Sequence, residues 1–351
     1  MAVVLEYALR LRKKGHEVRV YYPLLPYGSL QFHLRPGTLR YPVALVRGFF
    51  RNLLTRKNTV GWFREPIRVH PIPLIHPLFI KDSDACVATA WPTAYDVAAF
   101  PGRKGRGYYF IQDYEIWGSD KERVDKTYRL PLRQIVIAPW LADLMRSRFG
   151  RSGFAEIHNG VDLDFFRPPE NRDWERPAVL MMYHTLPSKG SEDGLAALER
   201  ISREKPGVKL RAFGLFDLPE RYGFLEYHRD PSPGKLLELY RASTIFISPS
   251  RSEGWGLPVM EAMACGCAVL ATEVGCVPVL NDNENMAVIP PSDAEALYLK
   301  LTTLIDTPKA TRKMAERGLS TIAKHGWDAP AGKLELFLAP EKSASSSAVG
   351  S

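Results

Sequence analysis

Two glutamates, Glu253 and Glu261, stand eight residues apart, with a glycine-rich bend, Gly254-Trp255-Gly256, and then Pro258 between them. Carboxylates accept hydrogen bonds from hydroxyls, and two of them suit two diols, such as those of a sugar and a ribose. Glycines let the main chain come close to a ligand, since a side chain there would hold a diphosphate away. Proline is tolerated best in the first turn of a helix, so Pro258 places a helix start immediately after the bend, with Glu261 one turn in. The free backbone N–H groups of a helix start attract phosphate by hydrogen bonding and through the helix dipole.

The positioning elements are legible on either side. Residues 243–248 (STIFIS) form a short apolar, β-branched run that reads as a buried parallel strand, ended by Pro249-Ser250. Such a strand delivers its loop to the carboxyl edge of a sheet, where ligands of open α/β folds settle.

The string SRSEGWGLPVMEAMACG, residues 250–266, resembles the Glu-x7-Glu motif of the retaining, nucleotide-sugar-dependent glycosyltransferases of family 4. That resemblance implies an α/β chain of GT-B fold, two Rossmann-like doubly wound domains facing a cleft. It implies that Glu253 contacts the donor sugar, that the amides of Gly254, Trp255, Gly256 and Leu257 meet sugar and diphosphate, and that Glu261 holds the ribose. The plainer alternative is an ordinary strand and helix whose glutamates face solvent.

With 351 residues, 45% of them hydrophobic, the chain has room for two globular domains of about 150 residues. No collagen, coiled-coil or disordered class fits. Cys86, Cys265, Cys267 and Cys276 lack paired CxxC spacing and read as reduced core thiols of a cytosolic protein. No segment approaches the roughly 18 uninterrupted apolar residues of a membrane span, so the chain reads as soluble or peripheral.

Charge is uneven. Residues 1–150 hold 24 lysines and arginines against 12 acidic residues, so the net charge of +8 divides into +12 and −4. An anionic surface or partner suits the first half. Residues 42–57 (PVALVRGFFRNLLTRK) read as a helix with Leu45, Phe49, Leu53 and Leu54 on one side and Arg47 and Arg51 on another. That pattern fits a helix lying on an anionic leaflet, and equally a helix covering a sheet with its basic face in water. Nucleic acid is not expected, because no recognition module accompanies the basic residues.

At the start, Val3, Val4, Tyr7, Ala8 and Leu11 follow helical spacing, Gly15 stops that helix, and residues 17–22 begin a strand. Members of the resembled family commonly begin with a strand and a Gly-Gly turn before such a helix, which implies that roughly the first turn and strand are missing. Residues 85–90 and 108–112 read as strands, and Asp113 and Glu115 follow the second. By resemblance, Gln112-Asp113 occupies the place where a histidine and an acidic residue approach the donor sugar, which makes Asp113 a catalytic candidate. Asp113 and Glu115 read equally as helix N-terminal carboxylates. The QDYE string, residues 112–115, is similar to a subset of the family acting on rhamnose-containing and other surface polysaccharides.

Residues 135–138 read as a strand and 141–149 as a helix, before Asn159-Gly160-Val161-Asp162. In the family such a string ends the first domain. The resulting division is a first, acceptor-side domain over 1–166, a linker over 167–177 and a donor-binding domain over 178–326. A helix over 327–340 then crosses back to the first domain, and a small, polar, disordered tail covers 341–351.

The second domain opens with a strand over 178–183, followed by His184 and Lys189. By resemblance these two stand where the family carries an arginine and a lysine against the diphosphate. A histidine is only partly charged near neutral pH and lacks the planar fork of a guanidinium. Further strands are expected over 208–214, 225–227 and 267–272, and helices over 234–240 and 294–324. Near Gly275 the family has Gly-Gly-x-x-Glu; here Val279 replaces the acid.

No cofactor and no metal are expected, since no Asp-x-Asp pair stands at a strand end and helix-start amides can take the charge of the leaving diphosphate. Two readings remain: a transferase moving sugar from a nucleotide-diphosphate donor to a glycan or lipid-linked glycan, and a catalytically silent sugar-nucleotide-binding or scaffold subunit. A phosphorylase or epimerase is the third, lesser option.

Overall fold

The structure is a computed structural model that describes residues 2–25, 40–55, 59–60, 65, 67–116 and 120–339. The chain divides into two compact units, one of residues 1–61, 66–157 and 330–351, the other of residues 62–65 and 158–329. The polar tail over 341–351 lies outside the described residues.

In the first unit, β1 (Val20–Pro23) pairs parallel with β3 (Ile67–Ile72), and β2 (Thr59–Val60) pairs antiparallel on its other side. A second, four-stranded sheet is wholly parallel, in the order β4 (Ala85–Ala88), β5 (Arg106–Ile111), β6 (Arg133–Val136), β7 (Ala155–Glu156). Among the described residues the first element is the helix Ala2–Lys13, with Val3, Leu5, Tyr7, Ala8 and Leu11 buried as the 3.6-residue period dictates. Gly15 at φ +95° turns the chain out of it, and the strand follows three residues later than the sequence suggested, at Val20.

The basic helix runs over Arg40–Leu54. Its inner side carries Gly48, Leu45 and Phe49, and Asn52 Nδ2 donates to Leu24 O at 2.8 Å. Leu54, expected on the same side as Leu45 and Phe49, is 84% exposed, because it sits opposite Leu45 and Asn52 at about 100° per residue.

At the carboxyl end of β5, Asp113 accepts the N–H of Tyr114 at 2.7 Å. Glu115 is buried and accepts the N–H of Trp91 at 2.6 Å, at the start of the helix Trp91–Ala98. Glu115 is thus a helix N-terminal carboxylate. Burial pushes its pKa up to about 7, against the Trp91 hydrogen bond and with a smaller push from Asp113. A folded pKa above the unfolded value favours the protonated form in the fold. The stability it contributes is therefore full below about pH 4.5 and is lost as pH rises through about 7. Glu115→Gln keeps the acceptor and removes the charge, so it should raise Tm at pH 8 and leave it nearly unchanged at pH 5. Melting curves of both proteins across that range check this; parallel profiles would contradict it.

The second unit is built on one six-stranded parallel sheet: β8 (Ala178–Tyr183), β9 (Lys209–Gly214), β10 (Glu226–Arg229), β11 (Ile245–Ser248), β12 (Ala268–Thr272) and β13 (Ala287–Ile289). Their spatial order is β10-β9-β8-β11-β12-β13. The continuous apolar runs of β8, β11 and β12 follow from burial on both faces: Val179, Met181, Ile245, Ile247, Ala268 and Leu270 pack with the helices Ser191–Glu204 and Ala294–Asp306 on one face, and Leu180, Phe246 and Val269 are as deeply buried on the other. β10 begins one residue later than expected and reaches Arg229. The expected late helix is two, broken at Thr307 before Pro308.

The strand order fixes the site. The chain runs outward from β8 through β9 to β10, then returns to lay β11 on the other side of β8 and continues outward to β13. The direction reverses between β8 and β11, and a crevice opens at the carboxyl ends of two strands where such a reversal occurs.

Candidate functional site

The two strands flanking the reversal carry the residues singled out by sequence. β8 leads to His184 and the turn Pro187–Lys189; β11 leads to residues 249–256 and the helix Leu257–Ala264. The two loops are knitted by backbone. Arg251 and Ser252 donate their N–H groups to Ser188 O at 2.7 and 3.1 Å, and the Arg251 guanidinium pairs with Asp193 at 3.0 Å. Gly190, at φ +60°, permits this closeness, since a Cβ there would lie 1.9 Å from Pro249 O.

The result is a recess lined by Lys189, Ser248, Ser250, Glu253, Gly256 and Pro258. Both oxygens of Glu253 are engaged within it. Lys189 Nζ donates to Oε2 at 2.8 Å and Ser250 Oγ to Oε1 at 2.8 Å. The carboxylate is only 12% exposed and the lysine 21%. Glu253 is therefore held in one orientation and does not face solvent.

Gly256 adopts φ +93° and caps the helix that follows. A Cβ at this position would touch the Cys276 Sγ at 3.7 Å and the Glu253 Cγ at 3.8 Å, ordinary contacts, so it is the left-handed backbone and not crowding that calls for glycine here. Trp255 is buried, its indole N–H donating to Met260 Sδ at 3.0 Å, and its ring lies 4.9 Å from that of His158. Its side chain packs inward, leaving the backbone to line the bend. The loop after β12 braces the same bend, with Cys276 N–H donating to Trp255 O at 2.6 Å. Cys265, Cys267 and Cys276 are buried free thiols, and Cys86 is half-buried. Burial pushes the Cys276 thiol well up, so it acts as packing.

Glu261 lies one turn into the helix, where Oε2 accepts the hydroxyl of Tyr240 at 2.9 Å. Tyr240 is wholly buried, so this carboxylate is also anchored from the protein side.

His184 differs in its chemistry from the arginine that the resemblance implies. Its Nδ1 accepts the N–H of Leu186 at 2.9 Å, and its ring meets that of Phe216 at 4.7 Å. Burial lowers its pKa, with the Lys189 charge adding to that and Glu253 opposing. At neutral pH the ring is neutral, and with Nδ1 accepting, Nε2 carries the one proton it can offer.

Lys189, Glu253 and the Gly254–Leu257 bend thus share one recess edge, with Glu261 and His184 on the same two connections. Asp113 belongs to the first unit, at the carboxyl end of β5. Two residues were missed by sequence reasoning. Ser250 was read only as ending a strand, although a hydroxyl three residues before a carboxylate is within reach of it. Tyr240 meets Glu261 across 21 residues of chain and leaves no local signal. Among the described residues no group of three or more histidines, cysteines or acids could hold a metal ion.

Residues 162–321, which include every one of these second-unit positions, match the family model described as glycosyl transferases group 1. The D-inositol 3-phosphate glycosyltransferase of Segniliparus rotundus is 31% identical over 196 residues, 49% of this chain and 43% of that protein. The chain spans less than half the length of the first curated relatives it matches. Among solved structures, a glycosyltransferase from Rickettsia africae superposes with a TM-score of 0.64 at 16% identity, covering 96% of this chain and 93% of that one. HepE from Anabaena, in complex with UDP and glucose, gives a TM-score of 0.63 at 16% identity, covering 73% and 77%. This likeness shows the GT-B fold expected from the sequence.

Proposed function

We propose that the chain is a retaining glycosyltransferase of family 4. It moves a sugar from a nucleotide-diphosphate donor to a glycan or lipid-linked glycan acceptor in surface-polysaccharide synthesis, of the rhamnosyltransferase-like subset. The observation that carries this reading is Glu253 held between Lys189 and Ser250 at the strand reversal, beside a glycine bend that opens a helix. Solved HepE, of the same fold, holds UDP and glucose, and the curated relatives are named glycosyltransferases. The second unit takes the donor and the first the acceptor, with Asp113 as its catalytic candidate.

In this reading the diphosphate sits over the amides of Gly254, Trp255, Gly256 and Leu257, at a helix start. Lys189 turns from Glu253 toward the leaving phosphate and takes up the charge that develops there. Glu253 then accepts hydrogen bonds from the donor sugar's hydroxyls, still fixed by Ser250, while His184 adds one neutral donor. Glu261 grips the ribose. No step calls for a metal ion, and the protein works on the cytoplasmic side, peripherally at the inner face of the membrane.

Tyr240 is the positioning residue for Glu261. Tyr240→Phe removes one charge-assisted hydrogen bond, worth about 1.5–3 kcal/mol, so the donor KM should rise roughly tenfold or more with kcat little changed. A fall in kcat at constant KM would contradict that role.

The silent-subunit reading has one observation in its favour: neutral His184 neutralises less phosphate charge than a guanidinium would. A screen of UDP-, GDP- and dTDP-sugars for nucleotide release, run with and without chelator, separates the two. Slow release from one donor, unaffected by chelator, is expected. Saturable binding without release from any donor would establish the silent subunit, and loss of release in chelator would overturn metal independence.

A further inference from the structure

The outer face of the helix Arg40–Leu54 is apolar where a solvated helix would be polar. Val43 is 67% exposed, Val46 56%, Phe50 56% and Leu54 84%. At about 100° per residue these four fall within an arc of roughly 80°, and exposed Arg47 and Arg51 extend it along one edge. The opposite side is engaged by its own unit through Gly48, half-buried Leu45 and Phe49, and the Asn52 hydrogen bond to Leu24. One face is thus committed, and the other presents a continuous apolar stripe with guanidinium groups beside it.

We propose that this face is a docking surface for an anionic lipid bilayer, with the helix lying in the plane of the headgroups. Scattered single apolar residues on a surface need no explanation; four on one stripe of a helix do. Charge complementarity selects lipid as the occupant. Residues 35–68 carry eight lysines and arginines and one acid, Glu65, which suits a negative surface potential. Arginines next to the stripe extend their heads to phosphate while Phe50, Val43, Val46 and Leu54 enter the acyl boundary. The helix lies on the membrane and does not cross it: among the described residues no helix is long and apolar enough to span one. The inference rests on the peripheral membrane association proposed above and names the surface that makes it; it uses no residue of the donor recess, so it can fail while sugar transfer stands.

The test is sedimentation of the full chain with vesicles of phosphatidylcholine alone and of phosphatidylcholine with phosphatidylglycerol, at low and high salt. Binding is expected only to the anionic vesicles, weaker in high salt. Phe50→Asp and the pair Arg47→Glu/Arg51→Glu should each lower it about tenfold or more, with far-UV circular dichroism unchanged. Lys309→Glu/Lys313→Glu, on an exposed face of the second unit, should leave binding as it was. Three results would overturn the proposal: no binding to anionic vesicles, binding that Phe50→Asp leaves intact, or a concentration-dependent dimer that Phe50→Asp abolishes, which would assign the face to a second copy.

Discussion

Glu253→Gln should lower kcat by about 100- to 1,000-fold while the protein folds as before. The substitution keeps the size of the side chain and one acceptor oxygen, so Ser250 can still donate to it. It removes the charge that pairs with Lys189 at 2.8 Å and replaces the second acceptor by an NH2 that cannot receive a hydroxyl proton. Groups oriented at the reacting centre typically contribute that range of rate. Ser250 still fixes the side chain, and the bend amides and Glu261 still hold the nucleotide, so less of the effect should fall on the donor KM than on kcat. Steady-state kinetics on the donor found by the nucleotide-release screen, together with a melting curve, check it. A variant that transfers at the wild-type rate would remove Glu253 from the chemistry.

Gly190→Ala should be the most damaging change outside the carboxylates. Its φ of +60° already disfavours a side chain, and the new Cβ would lie 1.9 Å from Pro249 O, so the two loops must part. Left-handed strain combined with a backbone clash places the loss at about 3 kcal/mol or more. For a unit of this size that is a fall in Tm of roughly 10 °C. Parting the loops also breaks the hydrogen bonds that the Arg251 and Ser252 N–H groups donate to Ser188 O and draws Lys189 away from Glu253. The donor KM should therefore rise even at temperatures where the protein stays folded. Gly207→Ala is the control. Nothing lies within 4 Å of its Cβ position and its φ is ordinary, so it should leave both quantities nearly unchanged. Equal effects from the two substitutions would show that the contact with Pro249 does not hold the site together.

What the sequence disclosed and what it withheld follow from distance along the chain. The strand β11, its loop and the helix after it are continuous, so apolar runs, Pro249, Gly256 and Pro258 spelled them out, and the structure reproduces them. Of the six parallel strands of the second unit, all but the three-residue β13 were legible, β8, β11 and β12 most directly because burial on both faces demands unbroken apolar runs. Their order was not, because order is set by pairings across tens of residues. Yet the reversal between β8 and β11 is what brings Lys189 to Glu253, 64 residues apart. Ser250 and Tyr240 were hidden for related reasons: a serine at a strand end and a tyrosine on a helix look like punctuation and core until their hydroxyls meet carboxylates. The outer face of the basic helix was misassigned at Leu54, where counting apolar residues ignored its rotation past Leu53.

The account rests on nucleoside diphosphate occupying the recess at the ends of β8 and β11. Hydrogen–deuterium exchange of the full chain, with and without saturating UDP, GDP or dTDP, reports on that directly through backbone amides. One of the three nucleotides should slow exchange in peptides covering residues 184–190 and 253–261, and the protection should weaken in Glu261→Ala. Unchanged exchange in both segments with all three nucleotides, or protection confined to other parts of the chain, would contradict it.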